Sequence, residues 1–338
     1  MSDPKPLTIL LVMVSAHPGI GGMEKHTIEM ANGLALAGHS VAVMCAAQHQ
    51  TGLVTDVEPI TLNSTQSRYS PRLLARLYQQ FRGKSYDIVH AQGTKAAALL
   101  ATLSHLPMKP VRIASFHNFK SRYPALQRFN AVIAVSKALA QHLPTPEVQV
   151  VYNGLQANHD LTPADPQLTG ASQKPVWLAV GRLVNAKGFD FLIDSFKDVK
   201  GCLYIAGDGP DKALLQQKIH DNELQHRVTL LGHRDGIPAL MAACDGVVIS
   251  SQREGFSYVF AEAMLASKPV ISTNVPIANE FLPEHHIYHG DTPDGFAKLL
   301  NRDLDVVFNE QITARERAQK ELTIKSMINK TLAVYYAC

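Results

Sequence analysis

The 338-residue chain predicts an α/β protein built from two doubly wound parallel-sheet domains. Short β-branched apolar runs alternate along its length with longer stretches of helical periodicity. Those runs lack strict in-and-out alternation, as expected of strands buried on both faces of a parallel sheet. A polar break at residues 156–174, punctuated by Asn158, Pro163, Pro166 and Gly170, divides the series in two.

Before the break, strands are expected at residues 7–15, 40–45, 87–91, 111–115, 131–135 and 149–152. After it they are expected at 176–180, 202–206, 228–231, 246–250 and 269–272. Single helices between successive strands imply βαβ units. The domains are read as 1–155 and 156–323, with a last helix at 324–338 expected to cross back to the first domain. Sheets of this kind bind ligands at the C-terminal ends of their strands, here expected to face a central cleft.

The bulk properties narrow the class. The chain is long enough for two cores at roughly 100–200 residues per domain, and its 46% hydrophobic content is that of a globular protein. Cys45, Cys202, Cys244 and Cys338 form no C-x-x-C pair, so neither a disulfide frame nor a zinc site is indicated. The longest apolar run, 7–16, falls short of the roughly 18 residues that span a bilayer. Lys5 precedes it, but Asp3, Pro4 and Pro6 make a poor leader, and a cytoplasmic protein is expected. Residues 1–155 hold 14 Lys/Arg against 7 Asp/Glu, while residues 156–338 hold 18 against 22. The basic first half points toward something anionic.

Three loops carry the candidate chemistry, each between a strand end and a helix start. The first, from His17-Pro18 through Gly21, Gly22 and Glu24 to His26, reads either as an anion cradle or as a tight turn without a ligand. The second runs from Gly181-Arg182 to Lys187-Gly188. Arg182 and Lys187 could converge on one diphosphate, Arg as a planar fork and Lys as a point charge; two solvated loop cations are the alternative. The third holds Glu254, with the amides of Gly255, Phe256 and Ser257 free at a helix start, and Glu262 about two turns into that helix. Ionised carboxylates at these two places suit hydroxyl-rich partners.

In this order, and with Gly38-His39-Ser40-Val41, Asp87-Ile88-Val89-His90, Phe116-His117-Asn118, Val135-Ser136, Tyr152-Asn153-Gly154 and Ala206-Gly207-Asp208-Gly209-Pro210, the chain resembles the retaining glycosyltransferases of family 4. The resemblance covers nearly the whole chain and extends to bacterial surface-glycan and lipopolysaccharide-core enzymes. It implies the GT-B fold of two facing Rossmann-like domains, and a metal-independent hexosyltransferase with no cofactor beyond its nucleotide diphosphate sugar, a UDP-sugar being favoured. Gly21 and Gly22 would then approach the donor diphosphate, which Arg182 and Lys187 would neutralise. Glu254, with Gly255, Phe256 and Ser257, would hold the donor sugar, and Glu262 the ribose diol. His117 would lie near the transferred sugar, and His26 and Glu24 on the acceptor side.

Ser257-Tyr258 departs from the small-then-aliphatic pair commonest in the family, which leaves the sugar open. Asp303-Leu304-Asp305 mimics a metal-binding D-x-D but falls after a helix and is read as solvated surface. His285-His286 is read as an exposed loop, and no metal site is expected. Residues 71–84 and 116–129 combine basic with apolar or aromatic residues, so they read either as packed elements or as contacts to an anionic membrane on the cytoplasmic face of the inner membrane. The acceptor is expected to be lipid-linked or a lipopolysaccharide-core glycan. A nucleotide-sugar epimerase and a non-catalytic nucleotide-sugar-binding protein are the competing readings; nucleic-acid binding is not indicated.

Overall fold

The computed structural model describes residues 5–16, 19–63, 65–67, 70–105, 110–156, 165–171 and 173–338. His17-Pro18, Asn158, Pro163 and the leader residues Asp3 and Pro4 lie outside them. The chain forms two compact units, Met1–Leu155 with Glu321–Cys338, and Gln156–Lys320.

Unit 1 contains β1 (Thr8–Met13), β2 (Ser40–Cys45), β3 (Val57–Thr61), β4 (Ile88–Gln92), β5 (Val111–Phe116), β6 (Ala131–Ala134) and β7 (Val148–Val150). They pair in the order β3-β2-β1-β4-β5-β6-β7, every ladder parallel. Helices α1 (Gly22–Leu36), α2 (Pro71–Gly83), α3 (Gly93–Leu103) and α4 (Lys137–His142) are its crossovers. The chain winds outward from β1 through β2 to β3, then returns to β4 on β1's other side. That reversal opens a crevice at the ends of β1 and β4.

Unit 2 repeats the plan with β8 (Val176–Val180), β9 (Cys202–Ala206), β10 (Val228–Gly232), β11 (Gly246–Ile249), β12 (Val270–Thr273) and β13 (Ile287–Tyr288). Their order is β10-β9-β8-β11-β12-β13, again all parallel, with the reversal between β8 and β11. Its helices are α5 (Pro166–Thr169), α6 (Phe189–Ser195), α7 (Lys212–Asp221), α8 (Ile237–Ala243), α9 (Tyr258–Leu265), α10 (Ala278–Phe281), α11 (Pro293–Leu300), α12 (Leu304–Glu310) and α13 (Ile312–Glu321).

Each unit has its own core. Ile9, Leu11 and Met13 of β1 are fully buried against Met30 and Leu34 of α1; Trp177, Leu203 and Phe296 anchor the second core. Helix α14 (Ile324–Ala337) lies against α1, placing Met327, Ile328 and Tyr335 in the first core. Its approach is close at Gly154, where a Cβ would stand 2.6 Å from the Ile324 Cα.

Two strands escape the sequence reading. β3 reads VEPIT, with Glu58 and Pro59 exposed, and β13 has two residues. Both are edge strands, half relieved of burial, so their sequences lack the apolar run of a central strand. The break at 156–174 is also not wholly a linker, because α5 forms within it, with Asp165 accepting from the Gln167 N–H at 2.8 Å. Helix α2 spends its apolar face on the core through Leu73 and Leu77, leaving Arg72, Arg76 and Arg82 outward. In the 116–129 stretch Phe116 is buried and lies edge-on to the half-buried Tyr123, while the half-buried Phe119 lies edge-on to the exposed His142.

Candidate active site

In unit 2 the three-residue turn Asn185–Lys187 follows β8, and Gly188 ends it in the left-handed conformation at φ 62°. Only glycine takes this conformation without strain, and the Ser250 carbonyl also crowds the place a Cβ would take. The turn delivers Lys187 to the loop after β11, at the strand reversal. There Lys187 Nζ donates to Glu254 Oε1 at 2.9 Å. Ser251 Oγ donates to the same oxygen at 2.5 Å. The Glu254 side chain is 7% exposed and that of Lys187 25%, so the pair is only partly screened by water.

Both donors fall on Oε1, which leaves the other carboxylate oxygen of Glu254 for a further partner. Arg182, on the loop that carries Lys187, is exposed. Gly255, Phe256 and Ser257 are buried, and Ser257 is the N-cap of α9, accepting from the Phe260 N–H at 3.4 Å. That bond uses a lone pair of the Ser257 oxygen and leaves its O–H able to donate. Glu262, half-buried, is the fifth residue of α9, just past one turn instead of about two, because α9 starts at Tyr258.

In unit 1 the glycine loop is already occupied. Gly21 caps α1, and its N–H donates to Glu24 Oε2 at 3.0 Å. Glu24 is 4% exposed and turned back on its own helix start. Its carboxylate takes the anion position of the helix terminus, so the side chain expected on the acceptor side acts here as a cap.

His26 and His117 do come together, ring centroids 4.7 Å apart and edge to face. Gln92 aims its carbonyl oxygen at His117 Nε2, 2.9 Å away, and its amide nitrogen at Met30 Sδ, 3.5 Å away. His117 Nε2 must then carry the ring proton, and Nδ1, which has no partner, is left as a lone-pair acceptor. Burial pulls the His26 imidazole down to about 4. The Asn153 amide beside it opposes this only weakly, since no full hydrogen bond joins the two. His90, bonded to Ser115 and Tyr335 at 2.7 Å each, is pulled by burial to about 3; His117 is held well below the usual histidine range, first by burial and then by its neighbours His26 and His90.

These depressed values make stability depend on pH. Unfolded histidines bind a proton near pH 6.5 while the folded rings refuse it, so the stability present above pH 6.5 is lost as pH falls toward about 4. Each ring contributes up to about 1.4 kcal/mol per pH unit in that window. Urea unfolding at pH 7, 6 and 5 should show stability dropping by about 2–4 kcal/mol per unit between pH 6 and 5. A flat profile over this range would contradict neutral burial of the three rings.

His285 and His286 do not form an exposed loop. His286 is fully buried, and both imidazoles bond Glu310 Oε2, at 3.0 and 2.8 Å. The ligating atoms of these three residues lie within 4.8 Å of one another. The hydrogen bonding favours an ion-pair node over a cation site. Gln311 is locked by two bonds to the Val270 backbone, and its Nε2 faces His286 Nδ1 at 3.1 Å. The His286 proton therefore sits on Nε2, where a metal would need a lone pair. Arg302 adds a third donor to the same Glu310 oxygen at 2.8 Å. With His285 foremost, these donors hold the Glu310 carboxyl down at about 2. Asp303 caps α12, accepting from the Asp305 N–H at 2.8 Å.

Gln92, Ser251 and Asn153 were not picked out individually as site residues by the sequence reading. Gln92 is followed directly by α3 with no intervening loop, and Ser250-Ser251 places two hydroxyls immediately after β11. Both are strand-end signals that single-residue chemistry overlooks.

Two parallel α/β units in one chain, each with its candidate residues at a strand reversal, define the GT-B class. The structure of Anabaena Alr3699/HepE in complex with UDP-glucose has this fold, superposing with a TM-score of 0.80 at 23% identity over 98% of this chain and 100% of that one. Residues 20–159 match Glycosyltransferase Family 4, and residues 174–305 match Glycosyl transferases group 1. The chain therefore carries a glycosyltransferase domain in each of the two matched segments. Among relatives, it is 32% identical to the uncharacterized glycosyltransferase MJ1178 of Methanocaldococcus jannaschii, over 58% of this chain and 56% of that protein. It is 23% identical to the lipopolysaccharide core biosynthesis glycosyltransferase LpsE of Rhizobium meliloti, over 83% of this chain and 85% of that protein. No described helix is long and apolar enough to cross a membrane.

Proposed function

We propose that the chain moves a hexose from a UDP-sugar to a lipid-linked or lipopolysaccharide-core acceptor, with retention of anomeric configuration and without a metal ion. The observation that carries this reading is the Lys187–Glu254–Ser251 cluster at the strand reversal of unit 2. UDP and UDP-glucose in the complexes of HepE, and the core-biosynthesis role in the name of LpsE, support the donor and the acceptor class.

Breaking the bond from sugar to diphosphate develops negative charge on phosphate and oxocarbenium character on the sugar. Lys187 and Arg182 supply fixed positive charge where the phosphate charge grows, which favours the transition state over the ground state. Glu254 accepts hydrogen bonds from sugar hydroxyls, with the Gly255 and Phe256 amides beside it, and Glu262 takes the ribose diol. In unit 1, His117 Nδ1 accepts from a hydroxyl of the transferred sugar. His26 stands behind it on the acceptor side. Retention follows from attack on the face the phosphate leaves, the departing oxygen taking the acceptor proton. The basic excess of unit 1 favours an acceptor at an anionic membrane surface.

A panel of nucleotide sugars in EDTA tests this. UDP-glucose or a close UDP-hexose should raise the unfolding midpoint and be slowly hydrolysed, releasing the α-anomer by NMR. No response to any UDP-sugar until a divalent ion is added would overturn the metal-free reading; an isomerised nucleotide sugar would make the protein an epimerase.

A further inference from the structure

Unit 1 holds a cavity of about 610 Å³ at its strand reversal, beyond the ends of β4 and β5. Lys95, Lys120 and Arg122 line it together with His117, and no carboxylate among the described residues does. Helix α3 opens into it at Gly93 and Thr94, and its N-cap Gln92 makes no side-chain cap, so the first-turn N–H groups keep their pull on an anion. His117 is only 7% exposed, and its Nδ1 has no partner. Lys120 and Arg122 are exposed and have no carboxylate partner among the described residues. The Lys120 backbone is pinned on both sides, its N–H donating to Tyr123 Oη at 3.0 Å and its carbonyl meeting His142 Nε2 at 3.2 Å. Burial pulls the Lys95 ammonium below the usual lysine range, which an anion alongside would reverse.

We propose that this cavity is a phosphate subsite, in which Lys120, Arg122, Lys95 and the start of α3 hold a phosphoryl group of the acceptor and bring its hydroxyl beside His117. The inference rests on the glycosyltransferase reading and names the acceptor class within it. Three cations and a helix start exceed what one carboxylate needs and suit a group of charge near −2. The Arg122 fork can engage two of its oxygens. A phosphorylated glycan and a lipid phosphate carry the same group, so both sources are tested.

Glucose 1-phosphate titrated into the full chain saturated with UDP is the soluble probe. Co-sedimentation with phosphatidylcholine vesicles containing phosphatidic acid is the lipid probe. Binding in at least one arm is expected, weakened tenfold or more by Lys120→Ala/Arg122→Ala and little changed by Lys200→Ala/Lys298→Ala, which removes equal charge from the exposed surface of unit 2. Binding in neither arm, or binding that survives the first pair of substitutions, would overturn the subsite. UDP affinity, measured separately, should not change; a wild-type protein that binds no UDP would contradict the donor reading, whereas loss of phosphate binding alone contradicts only this one.

Discussion

Lys187→Ala is expected to lower kcat/KM for sugar transfer by about two to three orders of magnitude, the usual effect of removing one preorganised charge-stabilising group. The loss should fall mainly on kcat, because the phosphate gains charge as the bond breaks and the missing cation matters most then. The substitution also strands Glu254, whose side chain is 7% exposed and would keep only the Ser251 hydroxyl. A fully buried broken pair costs about 3–5 kcal/mol, but the 25% exposure of Lys187 admits water, so a loss of about 1–2 kcal/mol is expected. The double change Lys187→Ala/Glu254→Gln removes the stranded charge. It should regain most of that stability in urea unfolding and recover none of the activity. If the double variant were as active as Glu254→Gln alone, Lys187 would be a folding residue alone.

Glu254→Gln should cost about 10- to 150-fold in kcat/KM. This corresponds to roughly 1.5–3 kcal/mol, the range for hydrogen bonds that involve a charged group. Glutamine nearly preserves the shape and one acceptor oxygen, so Ser251 can still donate and the loop should stay in place. What disappears is the charge that aligns Lys187 and strengthens the bonds to sugar hydroxyls. Donor KM is expected to rise along with the fall in kcat, since the hydroxyl contacts exist in both ground and transition states. A variant with normal KM and kcat for the UDP-sugar would mean that the carboxylate only positions the loop.

How far the sequence could be read depended on where each residue's partners come from. Central strands were legible because burial on both faces forces a continuous apolar run, as at Val176–Val180 and Cys202–Ala206. Edge strand β3 was not, since one side of VEPIT faces water and Pro59 needs no ladder partner there. Lys187 and Glu254 were identifiable from their loops, but not their mutual bond, which joins residues 67 apart in sequence. Glu24 shows the same limit in reverse: a carboxylate three residues after Gly21 is a capping signal, and the local bond outcompetes a more distant partner. His286 looked exposed beside His285, yet it is buried because Gln311 and Glu310, some 25 residues later, supply both of its hydrogen bonds.

The whole account turns on the positive charge that unit 2 presents at the junction of β8 and β11. Calorimetric titration of UDP in EDTA, into the wild-type and Lys187→Ala chains, addresses it most directly. Saturable binding to the wild type without divalent ions, weakened at least tenfold by the substitution, is the predicted result. Equal affinity in the two proteins, or binding that appears only when magnesium or manganese is restored, would contradict it.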